Sequence, residues 1–144
     1  MNALGVILAG GQAQRMGGID KGRLKIGDAS ILEIIIKCLN FQLDKIVLNA
    51  NGDLTRFSDL EIDVIPDTVK GYVGPLAGIL SGLRFAEQNG FSSILTVASD
   101  TPFFPVDLLS KLSNVSPQQS ALISIAATKQ KDKLIRHPTF GLWS

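Results

Sequence analysis

The sequence predicts a single three-layer α/β domain: a mostly parallel sheet with helices on both faces. Three observations carry that expectation. The runs Ala3–Leu8 and Ser93–Ala98 are apolar almost without interruption, as strands buried on both faces must be. Strand-length and helix-length apolar patterns alternate along the chain, which calls for parallel strands joined by crossover helices. Four loops rich in glycine, asparagine or aspartate each follow a predicted strand, so they gather at the carboxyl edge of the sheet, where open α/β sheets bind ligands. The architecture is Rossmann-like in that sense.

Taken in order, Ala3–Leu8 is the first strand. Ser30–Asn40, "SILEIIIKCLN", has helix length, with Ser30 as N-cap and Glu33 at the capping-box position. Its three consecutive isoleucines lower helix propensity, so this helix must be held by packing. Lys45–Leu48 and Ile62–Ile65 are short strands. Pro75–Gln88 is a helix, with Pro75 in its first turn and Gly90 suited to its end. Gly74 and Gly78 are expected to allow close backbone approach. Ser93–Ala98 is a third interior strand and Val106–Leu112 a short helix. Ala121–Ala126 and Thr139–Trp143 are later strands, separated by the polar stretch "TKQKDKLIR".

Composition narrows the function. At 144 residues the chain fits one domain, able to bury roughly 70% of its unfolded surface. Fourteen basic side chains against thirteen acidic ones leave a net charge of +1, which is no footprint for nucleic acid. Single-sign charge runs are absent, which argues against a membrane-surface role. The lone cysteine, Cys38, lies in an apolar helical stretch and reads as a core residue. The N-terminus has no basic n-region, and its apolar run is shorter than a signal peptide or a membrane span, so a cytoplasmic location is expected.

The most telling stretch is "LAGGQAQRMGGIDKG", Leu8–Gly22, directly after the first strand. Glycines let backbone N–H groups turn toward an anion with no Cβ in the way. Arg15 and Lys21 add two full positive charges for phosphate oxygens. The spacing is neither G-x-G-x-x-G nor a P-loop, since Lys21 is followed by Gly22. The residues alone therefore point to a di- or triphosphate and no further. Asp100 follows "SILTVAS" at the end of an interior strand. It suits either a Mg²⁺ ion, a hard cation that takes oxygen ligands, or a turn or cap ahead of the Pro105 helix. His137, the single histidine, precedes a proline in a predicted strand and reads as structural.

At this point the motifs resemble a known family. The order L-A-G-G, three variable residues, R-M-G-G, one variable residue, D-K resembles the signature loop of molybdenum cofactor guanylyltransferases, and every fixed position is present. "NAN" (Asn49–Asn51), "IPD" (Ile65–Asp67), "GPLAGIL" (Gly74–Leu80), "DTPF" (Asp100–Phe103) and "HPTFGLW" (His137–Trp143) follow in the family's order. The double glycine differs from the L-A-A-G usual in related cytidylyltransferases. The resemblance implies transfer of GMP from GTP to the phosphate of molybdenum-bearing molybdopterin, with release of pyrophosphate. It places GTP binding at Leu8, Ala9, Gly10, Gly11, Lys21, Asn49, Asp67 and Asp100, catalysis at Arg15, Lys21 and Asp100, and Mg²⁺ at Asp100.

As partners it implies GTP, molybdenum-molybdopterin, and proteins that insert the cofactor or the molybdoenzymes that receive it. No nucleic acid or membrane is expected, and a monomer is. The family continues with a further strand and helix and a late N-x-N-T-P-E-type motif, so residues 1–144 are expected to form a nucleotidyltransferase domain lacking that C-terminal segment. Two alternatives stay open at this level. One is transfer of another nucleotide to another acceptor, as in cytidylyltransferases; the other is a GTP-binding domain without turnover.

Overall fold

The computed structural model describes residues 2–11, 15–16, 19–71, 74–115 and 122–144, with only the backbone described at 15, 16 and 19. Its centre is a six-stranded sheet formed by β1 (Ala3–Leu8), β6 (Ile46–Asn49), β7 (Asp63–Ile65), β8 (Ser93–Ala98), β9 (Ile123–Gln130) and β10 (Lys133–Trp143). The spatial order is β7-β6-β1-β8-β10-β9. β1 pairs in parallel with β6 and β8, and β6 with β7. β10 runs antiparallel to both β8 and β9. Two small two-stranded sheets stand outside this one, β2 (Arg15–Met16) with β3 (Ile19–Asp20), and β4 (Lys25–Ile26) with β5 (Ala29–Ser30).

The period of two along β1 divides the core. Leu4, Val6 and Leu8 face α2 (Pro75–Gln88), together with Val47, Ile79, Ile94 and Trp143. Ala3 and Ile7 face the opposite layer, with Leu48, Leu95 and Val97, where α1 (Ile31–Asn40) and α3 (Leu108–Ser113) pack. Every residue of β1 and β8 is buried, which explains their unbroken apolar character. Helices on both faces of a mostly parallel sheet match the expectation.

α1 shows how packing overrides weak propensity. Leu32, Ile35 and Leu39 form its buried seam, and Ile31, Ile34 and Ile36 are half-buried beside it. The Ser30 hydroxyl accepts from the Glu33 N–H and the Glu33 carboxylate accepts from the Ser30 N–H, so the capping box is complete. α2 starts at Pro75 and ends at Gln88, as expected, and Gly90 takes a φ of +78° just beyond it.

Three expectations are corrected. The short helix runs Leu108–Ser113 rather than Val106–Leu112, because Pro105 stays in the loop and its carbonyl accepts from the Leu108 N–H. The polar stretch "TKQKDKLIR" does not merely separate two strands. It forms the facing arms of the β9–β10 hairpin, which turns at Lys131 with a φ of +54°. Of the strand expected at 121–126, residue 121 lies outside the described residues, and the observed strand extends to Gln130. Cys38 is half-buried rather than a core residue. Its thiol donates to the Phe104 carbonyl, and burial pushes its pKa up.

Candidate active site

The parallel strands deliver their loops to one edge, and a cleft opens there. It is lined by Leu8, Gly10 and Gly11 from the end of β1, Asn49 from β6, Asp67 beyond β7, Gly74, Pro75 and Gly78 from the start of α2, Ala98 from β8 and Thr139 from β10. The strand order changes direction between β1 and β8, which is the position where open α/β sheets hold ligands. Five of the eight residues expected to bind nucleotide therefore share one wall: Leu8, Gly10, Gly11, Asn49 and Asp67. Ala9 is buried beneath it and donates its N–H to the Asn49 carbonyl at 2.8 Å.

A hydrogen-bond network fixes this wall. Asn49, only 1% exposed, donates its side-chain amide to Asp67 Oδ1 at 2.9 Å and to the Ile65 carbonyl at 3.2 Å. Asn51 donates to Asp67 Oδ2 at 3.0 Å and to the Gly10 carbonyl at 3.1 Å. Its own Oδ1 accepts from the Asp67 N–H at 2.8 Å. Both oxygens of Asp67 thus hold amide donors, and the glycine loop is tied to the loops after β6 and β7. In the sequence Asn51 stands out only as part of the "NAN" motif; its place two residues after Asn49, at a strand end, is the signal that marks it.

Small residues make these contacts possible. A Cβ on Gly10 would stand 2.9 Å from Asn49 Oδ1 and 3.0 Å from Asn51 Nδ2. One on Gly78 would stand 2.3 Å from Asn49 Oδ1. Such distances are sub-van der Waals, so α2 can approach the amide only through a glycine. The first turn of this 14-residue helix then faces the cleft with Pro75 at N1, where a missing N–H costs nothing.

Lys21 and Asp100 lie outside the lining residues but close to each other in the fold. Gly22 is buried, and a Cβ there would come within 3.0 Å of the Ser99 carbonyl oxygen. The Lys21 end of the signature loop therefore rests on the segment that carries Asp100. No described carboxylate forms an ion pair with the Lys21 ammonium. Asp100 is exposed just beyond β8, and its Oδ1 accepts from the Thr101 hydroxyl at 3.1 Å. It does not cap α3, whose N-cap is Asp107. For Arg15 only the backbone is described, in register with Asp20 across β2 and β3. Gln12, Ala13, Gln14, Gly17 and Gly18 of the signature loop lie outside the described residues.

Among the described residues, no three His, Cys, Asp or Glu side chains converge as a metal cage. A single exposed carboxylate is still adequate chemistry for Mg²⁺, which takes one or two carboxylates and completes its shell with water and substrate phosphates. His137 pairs across the β9–β10 hairpin, its Nε2 2.8 Å from the Thr128 hydroxyl. Among the described residues, no helix is long and apolar enough to cross a membrane.

A glycine loop and an amide–carboxylate network at the carboxyl edge of a parallel sheet define the class of nucleotide-handling α/β domains. Within that class, the chain belongs to the MobA-like NTP transferase domain family, which it matches over residues 5–144. It is 43% identical over 140 residues to the molybdenum cofactor guanylyltransferase of Mesorhizobium japonicum, covering 96% of this chain and 65% of that protein. It is 40% identical over 139 residues to the enzyme of the same name from Pasteurella multocida, covering 96% of this chain and 70% of that one. The chain thus spans about two thirds of the length of these relatives. Among solved structures, the Rv0371c homolog from Mycobacterium sp. strain JC1 superposes with a TM-score of 0.71 at 20% identity, over 99% of this chain and 70% of that one. At that identity the likeness is one of fold.

Proposed function

We propose that this chain is the nucleotide-binding part of a molybdenum cofactor guanylyltransferase, which transfers GMP from GTP to the phosphate of molybdenum-molybdopterin and releases pyrophosphate. The observation that carries this reading is the cleft in which Gly10 and Gly11 face Asp67, Asn49 and the start of α2. The names of relatives at about 40% identity support the choice of nucleotide and acceptor.

The reaction joins two anions, so the residues must neutralise charge and hold geometry. Backbone N–H groups at Gly10 and Gly11, with the cations of Arg15 and Lys21, hold the phosphates of GTP and then the departing pyrophosphate. The attacking phosphate is already ionised at neutral pH, so no general base is required. Asp100 would hold Mg²⁺, which supplies charge compensation at the α-phosphate when bound. Asp67 reads the base, and Asn49 holds that carboxylate in place from beneath. A carboxylate has about four acceptor positions, and the two amides occupy two at Asp67. The remainder suit guanine, which offers N1–H and N2–H donors side by side; adenine presents an acceptor at N1 and is repelled.

Equilibrium titration with GTP, ATP and CTP tests the reading on this chain directly. GTP is expected to bind most tightly, and Asp67→Asn to erase that preference. CTP binding as tightly as GTP would move the chain to the cytidylyltransferase reading. Pyrophosphate release with GTP and molybdenum-molybdopterin, assayed on a protein as long as the relatives, tests the transfer.

A further inference from the structure

Arg56 belongs to none of the motifs, yet it is tied into the site by four hydrogen bonds. Its Nε donates to Asp20 Oδ2 at 2.8 Å and its Nη2 to Asp20 Oδ1 at 3.3 Å, a two-point pairing with a carboxylate that is only 7% exposed. Its Nη1 donates to the carbonyls of Asn51 at 2.8 Å and Asp53 at 2.6 Å. The guanidinium lies 4.3 Å from the ring centroid of Phe57, a fully buried side chain. Arg23 buttresses it from beside, donating to the Arg56 carbonyl at 2.8 Å while pairing with Asp59.

Asp20 occupies an awkward position for a loop that must attract phosphate. It immediately precedes Lys21, and its backbone stands in register with Arg15 across β2–β3. An unpaired carboxylate there would cancel one of the loop's positive charges and offer its cations an internal partner. The bidentate pairing across to Arg56 removes that competitor. Lys21 accordingly forms no ion pair with a described carboxylate.

We propose that Arg56 is a positioning residue that masks the charge of Asp20, so that the cations of the signature loop are kept for phosphate. It acts from the segment after β6, and its bonds to Asp20 and to the Asn51 carbonyl join the signature loop to the asparagine network. Lysine cannot substitute, because a single ammonium cannot span both carboxylate oxygens and two carbonyls. The inference rests on the phosphate-binding reading of the loop but not on the identity of the nucleoside.

The test is a charge cycle with inorganic pyrophosphate as probe, titrated by calorimetry against the wild type, Arg56→Gln, Asp20→Asn and the double variant, with GTP in a parallel series. Arg56→Gln is expected to weaken pyrophosphate binding by about tenfold or more, the effect of one unit charge a few ångströms away at a protein surface. Asp20→Asn in the Arg56→Gln background is expected to restore affinity to near wild type while the melting temperature stays low. Purely structural support by Arg56 would leave the double variant as weak as Arg56→Gln, and that result overturns the proposal. Where Arg56→Gln melts below the assay temperature, Asp20→Asn alone decides. With Arg56 in place its affinity is expected to equal or exceed wild type, and a fall would mean that Asp20 itself serves the ligand. Pyrophosphate binding with rescue, but without GTP selectivity, would refute the guanylyltransferase reading and leave the masking role standing. No pyrophosphate binding by the wild type overturns the masking role.

Discussion

Replacing Gly78 with alanine would ordinarily stabilise a helix interior by about 0.5–1 kcal/mol. Here the reverse is expected. The new Cβ would stand 2.3 Å from Asn49 Oδ1, 3.0 Å from Asn49 Cγ and 2.9 Å from Leu8 Cδ2. Asn49 is 1% exposed, so it cannot swing into solvent. It can yield only by giving up its bonds to Asp67 and the Ile65 carbonyl. Overpacking costs roughly 1–3 kcal/mol, and a buried amide left unpaired roughly another 1–3 kcal/mol. After the helix gain is subtracted, the net loss is about 3 kcal/mol, or about 6–12 °C in melting temperature for a domain of this size. The control is Gly82→Ala on the same helix. Its Cβ would meet only apolar groups, Val6 Cγ2 at 2.9 Å and Ile94 Cδ1 at 3.1 Å. Denaturant unfolding should show both variants destabilised. GTP titration at a temperature where both are folded should show weakened binding for Gly78→Ala alone, because only Gly78 touches the amide that orients Asp67. A Gly78→Ala protein as stable as wild type with unchanged GTP affinity would refute the reasoning.

Three further outcomes are expected. Lys21→Ala should weaken GTP binding and, in a protein that turns over, remove about 2–4 kcal/mol of transition-state stabilisation, the usual cost of losing one contact to developing negative charge, with an unchanged melting temperature; wild-type-like titration and turnover would return Lys21 to the solvated surface. Asp100→Asn should abolish the Mg²⁺-dependent part of GTP binding and leave thermal stability intact, since Asp100 is exposed and lies outside the N-cap position of α3, which Asp107 occupies; calorimetry with and without Mg²⁺ beside melts would show the opposite pattern if its role were structural. The Asp59 carboxyl is held below its ordinary value by its hydrogen bond with Arg23. A depressed folded-state pKa gives stability that is fully present above the unfolded value of about 3.9 and is lost as pH falls through the folded one. Carbon-detected NMR titration should therefore place Asp59 below an ordinary aspartate, and Arg23→Gln should bring it back up.

What the sequence made legible was what local physics decides. Total burial forces β1 and β8 to be apolar throughout, and Pro75 and Gly90 punctuate α2 by backbone constraints that act on single residues. The β9–β10 hairpin escaped because its outer arms face solvent on both sides, so Thr128–Arg136 carry no alternation. Its turn uses Lys131 at positive φ, with no Asn-Gly or Asp-Gly to announce it. The insertion of β10 between β8 and β9 is decided by long-range fit. The buried Thr96 hydroxyl meets the Gly141 N–H at 3.2 Å and the Trp143 indole N–H at 2.9 Å, across more than forty residues. Arg56 was invisible for the same reason, since its partner lies 36 residues earlier.

The acids around the cleft show why residue type alone underdetermines a role. Asp20, Asp67 and Asp100 stand in comparable positions in the sequence, each near a strand end and each inside a motif. Their surroundings separate them. Asp20 is buried against a guanidinium that offsets its charge. Asp67 is held by two neutral amides, which orient the carboxylate without cancelling its charge. A negative group is an asset only toward a ligand edge that donates hydrogen bonds, and a nucleobase has such an edge while a phosphate does not. Asp100 is exposed and, among the described residues, bonded to a neighbouring hydroxyl, a setting that suits a cation. A site for a polyanion can hold three carboxylates only if each is masked, turned to the base, or bridged by metal; under the proposed reading Asp20, Asp67 and Asp100 would take those three roles in turn.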